Sequence, residues 1–429
     1  MRLAGASLAI AVAASACLFP DLSTLNEAPS GKDGGTDVGT DAPNGPVAIA
    51  NAQQSVAPSG NAQQTHVVWA NVAKRWWLFY FDDDTTLLKT RTSADFVAWQ
   101  DGPSLTLAHT NAGEGRNLSV AYAELGGVDV VHISISHAVG GSGPLIHSHT
   151  RAVISGSTIT FGAPSDVCSI DASPDEPDGN AAYVASDGTV WDSTGFVASA
   201  GTGGKGYQNE DAFLSPSQDD GTSWTNSFNQ MTIEVVNTTA NSRAFFSAGD
   251  FGAIWEAGDQ DPNPTNLHFA FYEGGNWTSP DSLFDDDAPQ DPNDWGLATL
   301  QASTGPEVHV VRALLAGGYE HAYGTSTTGQ NGAAPPTQSR TAGTGVVVLA
   351  DPSHVAAFDL SSAGELVESR WDGSTWSAWT TIASAMTPSY LSGYCPNLDA
   401  HPEAGGCAVI WTGPSTDGVG VFGQLVSVR

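Results

Sequence analysis

The stretch SPSQDDGTSWTN, residues 215–226, ends a β-type run in a polar turn and then returns to a Trp. Ser217, Asp219 and Gly221 stand at fixed offsets before Trp224. Each residue type has a turn-building use. Asp and Ser side chains accept backbone amides of a turn, Gly supplies a positive φ, and Trp buries a large apolar face. A catalytic carboxylate or a calcium loop would also place acids here, so the spacing has to be tested along the chain. It recurs. Trp99 lies four residues after Asp95, with Phe96 in the Gly position; Trp277 follows Glu273 and Gly274, and Trp376 follows Asp372 and Gly373. These Trp positions are separated by 125, 53 and 99 residues, which is two, one and two units of about 50 to 60 residues, a repeat length.

Helical periodicity is nearly absent. Short runs of Val, Ile, Phe, Tyr, Trp and Thr are cut by Gly, Asp, Asn and Pro every 8 to 12 residues or so, the pattern of an all-β sandwich, barrel or propeller. Cut at the repeat, one unit reads THVVWANV, RWWLFYF, LLKTRTS, VAWQDG, and the next NLSVAYAEL, VDVVHISIS, PLIHSHTRAVI, STITFG. Units near 170–236 and 296–342 fit more loosely. The C-terminal CAVIWTG and GVGVFGQLVSV lack an outer strand, and PVAIANAQQ at 46–54 is a spare one. Adding it there would close a ring and remove free sheet edges. The expected fold is an all-β propeller of seven four-stranded blades closed by the N-terminal strand, with six blades the alternative.

Ser217-x-Asp219-x-Gly221-x-x-Trp224 resembles the Asp-box, or BNR repeat, of sialidase-like β-propellers. The full pattern occurs once; the Trp376 copy keeps Ser369 and Gly373 but has Trp371 in the Asp position, and the other copies are more degenerate. The resemblance implies that Ser217, Asp219, Gly221 and Trp224 build a turn between third and fourth strands at the outer rim. It specifies a fold and not a reaction. A sialidase would also need three Arg, a Tyr activated by a Glu, and an acid–base Asp. Its aromatic-Arg-Ile-Pro signature is absent, and Arg91, Arg151 and Arg370 fall at third-strand ends near the rim turns.

The chain begins with Arg2, an apolar run at 8–14, and Ala14-Ser15-Ala16-Cys17. This reads as a secretory signal too short to span a membrane. Its end resembles a bacterial lipobox, with Ala14 where Leu is usual and Cys17 as the lipidated residue; Leu18 after it favours the outer membrane or cell surface. Residues 18–46 are rich in Gly, Asp, Thr and Pro and read as a disordered tether, leaving 47–429 as the folded domain. Taking away Arg2, Lys32 and the five acids of the leader and tether leaves the domain a net charge near −29. That excludes a phosphate-binding face, so nucleic acid is no partner. The membrane is met through the lipid anchor only, and a monomer is expected. Cys395 and Cys407 flank a hairpin-like stretch and suit a disulfide in an oxidising compartment; Cys168 is left over.

Function is sought on long loops joined to rigid strands. Those are 109–117, 169–180, 285–296 and the excursion 201–211. Within them Glu114 with Arg116, Tyr207 with Glu210, and Asp294 with Trp295 each combine a stacking or charged group with hydrogen-bonding capacity, a combination that suits sugar. Three other signals carry less. Gly201-x-Gly203-x-x-Gly206 opens no helix and is a loop rather than a dinucleotide fingerprint. Asp259-x-Asp261-x-Asn263 starts like a calcium loop, but Pro264 replaces the required Gly and no Glu stands at the twelfth position. No cofactor is required, and a non-EF calcium site there or at 285–287 stays open. His147 and His149, with His132 and His137 on the neighbouring strand, could meet at a metal or act as acid and base, depending on register. Two functions follow. The first is a surface lipoprotein whose propeller binds glycan or a surface protein without catalysis. The alternative is a glycan-degrading enzyme: a glycoside hydrolase, with two carboxylates about 5 to 10 Å apart, or a polysaccharide lyase using the His cluster and Arg116.

Overall fold

Alternate residues of one strand enter two different cores, and this decides the architecture. In Arg75–Phe81, Trp76, Leu78 and Tyr80 join one buried cluster while Trp77, Phe79 and Phe81 join another. The same division splits Val355–Leu360: Ala356, Phe358 and Leu360 against Val355 and Ala357. A strand whose two faces are both apolar must be covered on both sides. Each such sheet is therefore a wall between two neighbours, which a two-layer sandwich cannot provide.

The computed structural model describes residues 45–52, 63–81, 87–107, 117–138, 145–170, 178–184, 190–198, 209–217, 232–236, 243–247, 251–257, 266–273, 276–279, 281–284, 288–302, 305–325, 328–384, 389–415 and 418–428. Their strands form seven antiparallel sheets, each traced strand by strand from one edge to the other. Sheet 1 begins at Val67–Ala70, sheet 2 at Asn117–Leu125, sheet 3 at Asp178–Val184 and sheet 4 at Arg243–Ser247. Sheet 5 begins at Gln290–Ala302, sheet 6 at Val347–Ala350 and sheet 7 at Ser389–Tyr394. The first strand of each sheet lies against the first strand of the next, and that of sheet 7 lies against that of sheet 1.

Sheet 7 takes its second and third strands from Cys407–Ser415 and Gly418–Val426, and its fourth from Val47–Ala52, which pairs antiparallel with Gly418–Val426. Strand Ser389–Tyr394 is joined to the next by the Cys395–Cys407 disulfide and a short 3-10 turn, Pro402–Ala404.

The outer strands depart from the simple repeat. In sheet 1 the fourth strand is split into Gln100–Asp101 and Leu105–Thr106, in sheet 2 into Thr158–Phe161 and Ser165–Ile170, and in sheet 4 into Asn276–Trp277 and Asp281–Ser282. In sequence a Pro falls in each gap, at 103, 164 and 280, the last outside the described residues. It has no N–H for the ladder, so it interrupts an edge strand without disturbing the inner ones.

The third-to-fourth-strand turns explain the acid-before-Trp spacing at two sites. Asp95 Oδ1 accepts the amides of Val97 at 2.9 Å and Ala98 at 2.8 Å. Asp372 Oδ1 accepts those of Ser374 at 2.8 Å and Thr375 at 2.7 Å. Gly373 adopts φ 96°, and Phe96 in the equivalent position adopts φ 62°. Phe96 tolerates that conformation because its ring is fully buried against Trp76 and Trp99. Asp219, Gly221 and Trp224 lie outside the described residues. Ser217 ends the strand Asn209–Ser217.

Candidate functional site

In every sheet the first strand begins, the second ends and the third begins at the same end, so the loops singled out from sequence belong to one end of each sheet. At this end the first strands are stapled to one another by polar groups. Thr65 donates its amide to Ser119 Oγ at 3.2 Å, and Ser392 Oγ donates to the Gln64 carbonyl at 2.7 Å. The Leu391 amide reaches the Thr344 carbonyl at 2.7 Å. Gln63 Nε2 donates to the Trp295 carbonyl at 2.8 Å, joining sheets 1 and 5, which are not neighbours in the order of first strands. Close approach also demands glycine: a Cβ on Gly296 would lie 2.1 Å from the Val346 carbonyl oxygen.

Asp294 and Trp295 require correction. The segment 285–296 is not an open loop throughout, because the strand Gln290–Ala302 begins inside it, with a bulge between Gln290 and Trp295. Trp295 is 0 % exposed and donates its indole N–H to Glu256 Oε1 at 2.6 Å. Its ring packs in a core with Ile254 and Val310, so neither face can receive a sugar. Asp294 is buried and makes a two-point contact with Arg340, at 2.5 and 2.9 Å. Arg340 Nε also donates to Asp359 Oδ2 at 2.8 Å, and Tyr319 OH donates to the same oxygen at 2.6 Å. The amides of Gly343 and Gly345 complete the Asp294 carboxylate. These residues lock sheet 5 to sheet 6.

Glu210 lies in the strand Asn209–Ser217, opposite Val197 and Val236, so the end of the 201–211 excursion is strand rather than loop. Glu114, Arg116 and Tyr207 lie outside the described residues, as do Asp259, Asp261, Asn263 and Cys17.

The histidine register is resolved. His132 is opposite Arg151, Ser134 opposite His149, and Ser136 opposite His147. His132 and His149 are therefore diagonal neighbours: Nδ1 and Nε2 lie 3.1 Å apart, the rings stack, and both side chains are buried. Among the described residues no three His, Cys, Asp or Glu side chains are grouped to hold a metal. A second pair with the same diagonal relation occurs in sheet 5. His309 is opposite Tyr323 and meets His321, two residues along, at 3.1 Å. Sequence reading missed this pair because it depends on a two-strand register, although both residues alternate with buried Val or Ala.

Five of the described arginines are equally committed. Arg75 donates to Thr92 Oγ1, Arg91 to the Ile49 and Trp99 carbonyls and Asp101, and Arg370 to Glu368 and the Ser427 carbonyl. Arg312 is fully buried, bonded to Glu320 and Gln290 and stacked over the Phe284 ring at 4.1 Å. With Arg340 that makes five arginines held by internal partners. Tyr390 is a residue that sequence gave no reason to select. It is the extra residue of a bulge between Ser389 and Leu391, at φ 51°, half-buried at the start of the first strand of sheet 7. A bulge re-aims a side chain out of the ladder.

No family model matches the chain, and no curated protein matches it. Solved structures do. An ulvan lyase of polysaccharide lyase family PL25 is 13% identical with a TM-score of 0.53, over 89% of this chain and 96% of that one. The sialidase of Trypanosoma rangeli is 11% identical, TM-score 0.44, over 89% of this chain and 58% of the sialidase, so this chain spans less than two thirds of its length. A mutant lectin of Aleuria aurantia in complex with alpha-methyl-L-fucoside is 12% identical, TM-score 0.43, over 80% of this chain and 96% of that one. With the separate four-stranded meanders, the first of these likenesses shows the fold: an all-β propeller.

Proposed function

We propose that the chain is an exported lipoprotein, anchored through Cys17, whose propeller binds neutral or fucosylated glycans at the end of the sheets where the first strands begin. The propeller is a ring of seven blades closed by Val47–Ala52; the cyclic contacts of the first strands and the pairing of Val47–Ala52 in sheet 7 support this. The observation that carries the functional reading is the fate of the arginines. Five of them are satisfied inside the protein, and the domain carries a net charge near −29. A carboxylate-bearing sugar needs uncommitted cations, whereas a neutral sugar needs aromatic faces and amides. Tyr390 is a described aromatic placed to contribute; Glu210 in its strand, and Glu114, Arg116 and Tyr207 outside the described residues, are the other candidates.

The test is a glycan array at low and high salt, followed by product analysis of each bound glycan after long incubation. Binding to neutral or fucosylated glycans, little weakened by salt and without turnover, is expected, and Tyr390→Ala should reduce it about tenfold by loss of one stacking contact. Released sialic acid or unsaturated uronate products would replace this reading with an enzymatic one. A polysaccharide lyase is the second reading, favoured by the likeness to the ulvan lyase fold. His132 and His149 give it little support, since each buried imidazole is turned toward the other.

A further inference from the structure

The His309–His321 pair is placed to do something the glycan reading does not use. His321 Nδ1 faces two groups with opposite demands. The Trp376 indole Nε1, 3.3 Å away, can only donate. The Ala333 carbonyl, 3.2 Å away, can only accept. One ring nitrogen cannot serve both. If His321 carries its proton on Nε2, every other demand is met in one direction: Trp376 donates to His321 Nδ1, and His321 Nε2 donates to His309 Nδ1 at 3.1 Å. His309 Nε2 then carries a proton and points toward Glu307 Oε2, 3.8 Å away. A proton added to His321 must go on Nδ1. That nitrogen then donates to Ala333 and turns a proton toward the indole N–H.

We propose that the His309–His321 pair is a proton-operated latch on Trp376, closed when both imidazoles are neutral and opened by acidification. Trp376 packs with Trp371 against Val311 and Val355, residues of sheets 5 and 6, so opening the latch loosens the contact between those sheets.

The surroundings favour the neutral rings. Both histidines are buried, 0 % and 1 % exposed. Tyr323 stacks on both rings, and Trp371 and Trp376 close the side toward sheet 6. Gly332 lies against His321, where a Cβ would come within 2.5 Å of Nδ1. Glu307 is the carboxylate facing His309 from its own strand. On the strand of sheet 6 that meets the pair, Glu368 and Arg370 bind each other and Ser427, and Asp372 is occupied by its own turn. Burial pushes His309 down to about 4, and burial together with the His309 ring pushes His321 down to about 3. Both lie below the ordinary value near 6.5 that holds in an opened state. The latch is therefore at full strength above about pH 6.5 and weakens as pH falls toward those values.

The test follows the indole N–H of Trp376 by NMR, its cross-peak assigned by its absence in Trp376→Phe. In the wild type its protection from solvent exchange should fall on the order of a hundredfold relative to pH 7 by pH 4.5. In His321→Asn, whose side-chain oxygen can accept the indole N–H and which leaves only His309 to titrate, the fall in protection should be at least about tenfold smaller. A wild-type cross-peak equally protected at both pH values overturns the proposal, and so does an equal loss in both proteins. Should His321→Asn not fold, the wild-type titration decides alone: loss between pH 6.5 and 4.5 supports the latch, and constancy refutes it.

Discussion

The contact between sheets 7 and 1 and the contact between sheets 5 and 6 solve the same packing problem with different chemistry. Between 7 and 1 the wall is aromatic and aliphatic. Trp76 meets Trp69, Phe96 and Tyr394 edge-on, at ring separations of 5.5, 5.3 and 6.3 Å, and packs in one cluster with Trp411 and Val421. Between 5 and 6 an apolar wall is also present, but a buried ion triad and a pair of imidazoles are set into it. The first contact depends on shape. The second depends on protonation state, because each buried charge and each neutral ring is tolerated only while its partner keeps the complementary form.

The most direct way to break this contrast is Arg340→Ala. It leaves Asp294 and Asp359, both nearly inaccessible, without their cation. Removing one member of a buried ion group costs about 3 to 5 kcal/mol, which denaturant unfolding at pH 7 would read. In the variant the burial that already raises Asp359 is no longer opposed by the guanidinium, and a carboxyl so placed is best tolerated protonated. The deficit should accordingly shrink as pH is lowered from 7 toward 4.5. A deficit that stays constant over that range would mean the carboxylates escape to water and the triad is not the buried element described above.

Trp76→Phe sharpens the other side. The ring is fully buried and its Nε1 donates to the Ala404 carbonyl at 3.2 Å. Losing the hydrogen bond and part of the ring volume should cost about 1 to 3 kcal/mol. The cost should be the same at pH 7 and 4.5, since Tyr394, the titratable group whose ring meets Trp76, is pushed further up by burial and stays protonated across that range. A pH-dependent cost would erase the distinction between the two walls.

The two contacts also differ in how far the sequence discloses them. RWWLFYF at 75–81 reads as a strand of the first unit, and the structure makes it one with both faces buried. The spare N-terminal strand was legible from the missing outer strand of the last unit, because edge pairing is a local backbone need. The ion triad was not. DDDAPQDPNDWG has the composition of a loop, yet Asp294 is stabilised by an arginine 46 residues away, and Trp295 by Glu256 in another sheet. Composition reports local preference, and here tertiary partners override it. The His309–His321 pair was hidden, and the meeting of His132 with His149 left open, for a related reason: both depend on strand register, which a one-residue slip would undo. The candidate ligand residues at 114, 116 and 207 were chosen from loop chemistry alone, and the strands show only where such loops attach.

The smallest effect concerns the one device both regions share. Asp95 serves the sheet 7–1 side, where its turn carries the buried Phe96, and Asp372 serves the sheet 5–6 side, where its turn carries Trp376. In both, turn amides hold the carboxylate: the Ala98 amide foremost lowers Asp95 below its ordinary value, and the Thr375 amide foremost brings Asp372 down to about 2. A carboxyl lowered in the folded state contributes stability that is present above its unfolded value and lost as pH falls through the folded one. Asp95→Ala should therefore cost about 1 kcal/mol at pH 7, the loss of the carboxylate that accepts two amides on a largely exposed turn. The gap between variant and wild type should narrow as pH falls below about 4. Asp95→Asn should recover part of the loss and show no such narrowing, because its carbonyl oxygen still accepts amides but does not titrate. A gap for Asp95→Ala that persists undiminished in acid would assign the turn to Phe96 packing rather than to the carboxylate, and the two sheet contacts would then differ even in the turn they share.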